Sequence, residues 1–275
     1  MSTTYNCVHY DRDRMRSCIY GLAVGDALGV PYEFRERYTF ECTGMAGNGT
    51  HGQYAGTWSD DTSMALCICS SIKRLGYIDT ADIAGRFRRW LQDGEFTCDG
   101  RVFDAGMTCR KAITTGVPAK SYDGCGNGSL MRTAPLAMLD YVEPYYIREV
   151  SAITHAHPVA QLTCVALCDM LQTIRNVGTP AKGDLWRRYG YIASRPVDAV
   201  KSDGYCEHTL EAALWCFLNT GSYEDCACKA VELGDDTDTT AAVAGALAGT
   251  YYGFDAIPPK LVGQLRGKAV IEQCI

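Results

Sequence analysis

Two short runs carry more acid than a helix end needs. Trp58-Ser59-Asp60-Asp61-Thr62 and Gly234-Asp235-Asp236-Thr237-Asp238-Thr239 each stand at the entry to an apolar stretch of helical spacing. Capping and the macrodipole stabilise acids at such positions by a few tenths to ~1 kcal/mol each, which is the plainer reading of either run alone. However, Asp235, Asp236 and Asp238 crowd three negative charges into four residues, more than the half-charge of a helix dipole balances, and Asp60-Asp61 repeats the problem. A cation resolves both. If the two helix starts face each other, their carboxylates and hydroxyls form an all-oxygen shell for Mg²⁺ or Mn²⁺, and bridging carboxylates suit two ions ~3.5 to 4 Å apart. The shortage of histidine beside either run argues against zinc or copper.

Other candidates flank these runs. Gly124-Cys-Gly-Asn-Gly-Ser129 leads into Leu130-Met-Arg-Thr-Ala-Pro135. Read as the opening of a helix, it offers backbone N–H groups to a phosphate; a Gly-rich turn between helices is the alternative. No strand precedes it and its spacing is neither GxGxxG nor a Walker loop, so Rossmann and P-loop readings fail. Glu33 follows a helix end and a rigid turn, and Asp104 precedes a helical run; either is a general acid or base, or a cap. His157, in Thr154-His-Ala-His-Pro158, neighbours a helix start where a ligand can also use it. His155 has less claim, and His9, His51 and His208 form no pattern.

The elements that must hold these groups are helices. Met15, Ile19, Leu22 and Ala23 make one stripe; Ala65 to Leu75 a second, closed by Gly76; Ile83 to Leu91 a third, closed by Gly94. Further helices run from Val159 to Ile174 behind Pro158, from Leu210 to Leu218 before Gly221, from Cys226 to Leu233 behind the box Ser222 to Asp225, and from Thr239 to Tyr252 before Gly253. Period-two alternation is scarce. The expectation is an all-α, single compact globular domain over residues 1–275, of eight or more helices around a dinuclear metal cleft, with irregular stretches at 25–61, 99–129 and 201–208.

Composition narrows the class. With 47% hydrophobic and 21% charged residues, the 275-residue chain reads as a soluble globular protein, and its net charge of −6 leaves no broad grip on nucleic acid or anionic lipid. No run of ~20 apolar residues and no signal-like N-terminus is present, so a cytoplasmic monomer is expected. The 15 cysteines, odd in number and without a CxxC pair, read as mostly free buried thiols, with Cys164 and Cys168 on one helix face.

Taken in order, these motifs resemble the ADP-ribosylglycohydrolase family, which includes the dinitrogenase reductase-activating glycohydrolases and the ADP-ribosylhydrolases acting on arginine or serine. The resemblance spans roughly residues 14 to 253. It rests on Gly21-Leu-Ala-Val-Gly-Asp-Ala-Leu-Gly29 with Glu33-Phe34, Trp58 to Thr62 with Met64, Asn127 to Arg132 with Ala134-Pro135, Thr154-His-x-His-Pro158, and Gly234 to Thr239. It implies an all-α globule with two Mg²⁺ or Mn²⁺ ions at the base of a cleft that holds ADP-ribose. By the same resemblance, Ser59, Asp60 and Asp61 supply ligands from one side, and Asp236, Asp238 and Thr239 from the other, with Asp238 the bridge. Gly126, Asn127, Gly128 and Ser129 then meet the diphosphate, His157 the adenosine side, and Glu33 and Asp104 manage the proton. Ser59 stands where the family usually has Thr, and Asp235 where it usually has a second Gly, which adds charge close to the metals. The implied activity is a glycosidase that removes ADP-ribose from a modified protein, arginine-linked first, by hydrolysis at ribose C1″. Serine-linked ADP-ribose and O-acetyl-ADP-ribose are the alternative substrates; a non-catalytic ADP-ribose binder and a metal-dependent nucleotide phosphohydrolase are the competing classes.

Overall fold

The computed structural model describes residues 8–275, so the first seven residues of the expected 1–275 unit, Cys7 among them, lie outside the described residues. These contain thirteen α-helices. They are α1 (Arg12–Gly29), α2 (Asp60–Leu75), α3 (Thr80–Asp93), α4 (Met107–Thr115), α5 (Ala134–Ala137), α6 (Pro144–Ala152), α7 (Pro158–Val177), α8 (Ala181–Ala193), α9 (Cys206–Leu218), α10 (Tyr223–Val231), α11 (Thr237–Tyr252), α12 (Pro259–Gln264) and α13 (Lys268–Cys274). Extended pairing among the described residues is confined to isolated bridges, so the all-α expectation holds. None of these helices is long and apolar enough to cross a membrane.

The centre of the molecule is the pair α1 and α11, both buried on nearly every side. Their contact is backbone on backbone. A Cβ on Gly25 would lie 2.0 Å from the Ala241 carbonyl oxygen, one on Gly21 2.3 Å from that of Gly245, and one on Gly29 2.3 Å from Asp238 Cα. Glycines repeated every fourth residue thus let two helices meet closer than side chains permit. α2, α7, α9 and α10 pack around this pair. Most of the buried apolar side chains form one cluster.

Several helix boundaries follow the expected chemistry. Ser59 Oγ caps α2 by accepting from Asp61 N–H, Ser222 Oγ caps α10 from Asp225 N–H, and left-handed Gly76 and Gly94 close α2 and α3. Other boundaries differ. Residues 25–29 belong to α1, and α4 lies inside the stretch read as irregular from 99 to 129. The Gly124–Ser129 run does not open an α-helix: Gly126 precedes a single 3-10 turn, Asn127–Ser129, and α5 follows after Thr133. α9 ends at Leu218 as the spacing predicts but starts earlier, at Cys206, and its cap is Asn219, whose side chain also bonds the Trp215 and Ala193 carbonyls. α10 stops at Val231, two residues short, where the chain turns toward Gly234. The cysteines follow the expectation: among the described residues all are free, and all but Cys98 and Cys228 are buried.

Candidate active site

The two acidic runs do face each other. α2 begins at Asp60 with Ser59 as its cap, and α11 begins at Thr237 with Asp236 as its cap, so each run serves its helix and also presents carboxylates to the other. Thr239 Oγ1 donates to Asp61 Oδ2 at 3.4 Å across the gap, and Ser59 Oγ donates to the same oxygen at 3.1 Å. Beneath them lies Asp26 of α1, fully buried, which accepts from Ser59 N–H at 2.9 Å and from Thr62 Oγ1 at 2.5 Å. Sequence reading passed over Asp26, although it lies within the Gly21–Gly29 run. Its place one helix away from the residues it caps is a tertiary fact.

Electrostatics sets this floor apart from ordinary capping. Asp61 Oδ1 and Asp238 Oδ2 are buried without a hydrogen-bond partner, which structures rarely tolerate unless a ligand fills the place. Burial, reinforced by Asp26 for Asp61, by Asp104 for Asp60 and by Glu33 for Asp238, pushes all three carboxyls well above the usual carboxylate range. Burial likewise raises Asp26 to about 6 and raises Asp236. Among the described residues no Lys or Arg forms an ion pair with Asp26, Asp60, Asp61, Asp236 or Asp238, so these carboxylates form a cavity built for positive charge. Glu33, Asp236 and Asp238 each bring one oxygen close enough to share an ion. With the Ser59 and Thr239 hydroxyls, the donors are all oxygen, which fits a hard divalent metal.

Above the floor opens a cavity of about 260 Å³. It is lined by Glu33, Phe34, Asp60, Asp104, Asp236 and Thr239 on the acidic side, and by Gly126, Asn127, Gly128 and His155 opposite. Glu33 ends the 3-10 turn after α1. Asp104 takes a left-handed backbone (φ 50°), and the cap of α4 is Gly106, so Asp104 is free of helix duty. Burial and then Asp236 push Glu33 up to about 7, while burial and then Glu33 do the same to Asp104. The two carboxyls lie close enough for each to act on the other's charge. His51 closes this group: its Nε2 bonds Glu33 Oε2 and lies 3.9 Å from Asp104 Oδ2.

The glycine loop is braced on both sides. Asn127 Nδ2 donates to Asp236 Oδ2 at 2.7 Å and to Thr209 Oγ1 at 3.0 Å, and its N–H bonds the Gly204 carbonyl. From below, the fully buried Arg132 guanidinium donates to the Gly128 carbonyl at 2.6 Å and to Thr154 Oγ1 at 2.8 Å. Gly128 must be glycine, since a Cβ there would lie 2.6 Å from Cys109 Sγ and 3.0 Å from His155 Cε1. His155 stays neutral, driven down to about 3 by burial and by Arg132.

Two expected positions lie elsewhere. The Ser129 hydroxyl is buried behind the loop, bonded to Ser151 and Cys164, and does not face the cavity. His157 caps α7 through Nδ1 and packs edge-on against Tyr122, beyond the cavity lining; the histidine in the wall is His155. Asp235 is exposed and not part of the lining, while its backbone exchanges hydrogen bonds with Phe34 and Arg35. His51 and His155 were missed because their partners lie far along the chain or beneath a loop; the Thr154-His-x-His pattern was the one available signal for His155.

Comparison with known proteins adds to this geometry. A family model described as ADP-ribosylglycohydrolase matches residues 9–275. The chain is 35% identical to the ADP-ribosylarginine hydrolase Tri1 of Pseudomonas putida (strain GB-1), over 91% of this chain and 73% of that protein. It is 32% identical to the ADP-ribosyl-[dinitrogen reductase] glycohydrolase of Rhodospirillum rubrum, over 92% and 90%. A solved structure titled ADP-ribosylglycohydrolase-related protein complex superposes with a TM-score of 0.80 at 32% identity, covering 96% of each chain.

Proposed function

We propose, because the chain belongs to the ADP-ribosylglycohydrolase family, that it is a hydrolase releasing ADP-ribose from modified arginine side chains of proteins, by cleavage of the N-glycosidic bond at ribose C1″. The observation that carries the reading is the pair of partnerless buried oxygens, Asp61 Oδ1 and Asp238 Oδ2, on opposed helix starts whose neighbours Asp60, Asp236 and Thr239 line the cavity. The arginine linkage is supported by the relative that is an ADP-ribosylarginine hydrolase, and action on a modified protein by the dinitrogen reductase glycohydrolase.

Ser59, Asp60, Asp61, Asp236, Asp238 and Thr239 would hold divalent metal, two Mg²⁺ or Mn²⁺ ions in this proposal, with Glu33 at their edge. Such ions supply positive charge that orients ribose hydroxyls and makes a water more acidic. The protein's own groups do the rest. Cleavage at C1″ passes through an oxocarbenium-like state, which needs a held sugar and a proton for the leaving group. Glu33 and Asp104, both raised to about 7 at the cavity wall, are the groups to give and take that proton, and His51 bonds the Glu33 carboxyl. Gly126, Asn127 and Gly128 offer a rigid, uncharged backbone wall for a diphosphate, backed by the buried Arg132 charge.

The test is release of free ADP-ribose from ADP-ribosyl-arginine and ADP-ribosyl-serine peptides, each with Mg²⁺, Mn²⁺ or EDTA. EDTA-sensitive release from the arginine peptide is expected. Release from the serine peptide alone would move the substrate class, phosphate as the product would establish a phosphohydrolase, and silence on every arm would refute hydrolysis.

A further inference from the structure

Between α2 and the 3-10 turn that follows α1 runs an irregular segment that carries Glu33 and Phe34 to the cavity and His51 to Glu33. Its first ten residues are strapped along the turn that joins α10 to α11. Phe34 N–H bonds the Asp235 carbonyl at 2.7 Å and Asp235 N–H the Arg35 carbonyl at 3.0 Å. The Arg37 guanidinium donates to the carbonyls of Leu233, Val197 and Val200, and Tyr38 Oη to Asp198 at 2.6 Å. The strap ends at Cys42, whose N–H bonds Glu232 Oε1 at 3.2 Å and whose Sγ lies 3.0 Å from Cys228 Sγ on α10.

We propose that Cys42 and Cys228 form a modification site, a dithiol that a hydroperoxide converts to a disulfide, fastening the strap of the catalytic cleft to α10. A bonded S–S distance is ~2.05 Å, so the two sulfurs need to close by about 1 Å, within reach of small side-chain rotations. Access selects this pair. Cys228 is partly exposed and Cys42 is 8% exposed, whereas the other buried thiols among the described residues are at 4% or less. Cys98, also partly exposed, has no sulfur hydrogen-bonded to it among the described residues. The contact with Cys228 also holds the Cys42 thiol below its ordinary range, which favours the thiolate that attacks.

The chemistry balances. Cys42 Sγ attacks one peroxide oxygen, the O–O bond breaks, and the leaving hydroxide takes the Cys42 proton to become water. Cys228 Sγ then attacks the resulting sulfenic sulfur, forming S–S and expelling a second hydroxide, which leaves as water with the Cys228 proton. Two electrons pass from the sulfurs to the peroxide oxygens. A dithiol reductant reverses the step.

The proposal is independent of the substrate assigned to the cleft, and its test uses the whole chain. Reduced protein is titrated with hydrogen peroxide, then alkylated, digested and mapped by mass spectrometry. Expected are a crosslinked Cys42–Cys228 peptide with loss of two hydrogens, slower amide exchange over residues 33–42, and a Tm raised by ~5 °C, all reversed by dithiothreitol. Cys42→Ser and Cys228→Ser each remove the crosslink and the Tm shift; the mapping on the unmutated chain needs neither variant to fold. Peroxide that drives either thiol to sulfinic acid without a crosslink, a crosslink mapping to other cysteines, or an oxidised chain with unchanged exchange over 33–42 would overturn it.

Discussion

At the scale of single residues, the site is defined by charge that the protein does not neutralise by itself. Asp61 and Asp238 each keep one buried oxygen without a partner, and burial raises both far above ordinary carboxylates. Asparagine copies the shape of a protonated carboxyl, so Asp61→Asn and Asp238→Asn leave the Tm in EDTA at or above that of the unmutated protein. The same substitutions abolish the rise in Tm caused by Mn²⁺ and lower turnover by ~10²-fold or more. Thermal unfolding with and without metal checks the first pair of outcomes, and ADP-ribose release the second; full turnover in both variants would remove metal from the scheme. These carboxylates were legible in the sequence because local crowding is visible in it. His51 was not: it meets Glu33 and Asp104 only after the segment between α1 and α2 folds back, and nothing in its neighbours, Thr50 and Gly52, signals a partner 18 residues upstream.

Elements carry these residues with little freedom. Gly25 of α1 lies against the Ala241 carbonyl of α11, where a methyl group would sit at 2.0 Å from backbone that cannot rotate away. Gly25→Ala therefore forces the two helices apart, and is expected to cost about 2 to 3 kcal/mol in urea unfolding and to weaken Mn²⁺ binding, since Asp26 and Asp238 move with their helices. An unchanged unfolding midpoint would mean that α1 and α11 are not held together as described. Most helices legible in the sequence have several turns and a side-chain cap, such as α2 behind Ser59 and α10 behind Ser222; α9, without a capping side chain, was legible from its apolar run alone. Those with no bounds legible in the sequence are short or lack a capping side chain. α4 follows Gly106, which has no side chain to cap it, and α12 and α13 span six and seven residues, too few turns for an apolar period to register. The glycine loop misled in another way: its glycines mark close approach to Cys109 and His155, not a helix start.

At the scale of the whole molecule, the buried acids tie stability to pH. Unfolded, these carboxyls titrate near 3.8 to 4.5; folded and metal-free, Asp26 moves to about 6 and Glu33 and Asp104 to about 7. Between those limits the folded state binds more protons than the unfolded one, so metal-free stability falls as pH rises from about 4 to 7. A bound divalent ion supplies the missing positive charge and flattens that slope. The Tm gained on adding Mg²⁺ or Mn²⁺ is thus expected to grow with pH across this window, measured by thermal melts in EDTA and in metal; a gain independent of pH would contradict it. The glycine contact of α1 with α11 has a further consequence for how such a molecule diversifies. Two helices touching through their backbones form a rigid anvil, and Asp26, Asp236 and Asp238 are set in it. Fitting a different modified side chain has to come from the irregular spans bearing Glu33, His51 and Asp104, which can lengthen, shorten or re-aim while the anvil beneath them keeps its shape.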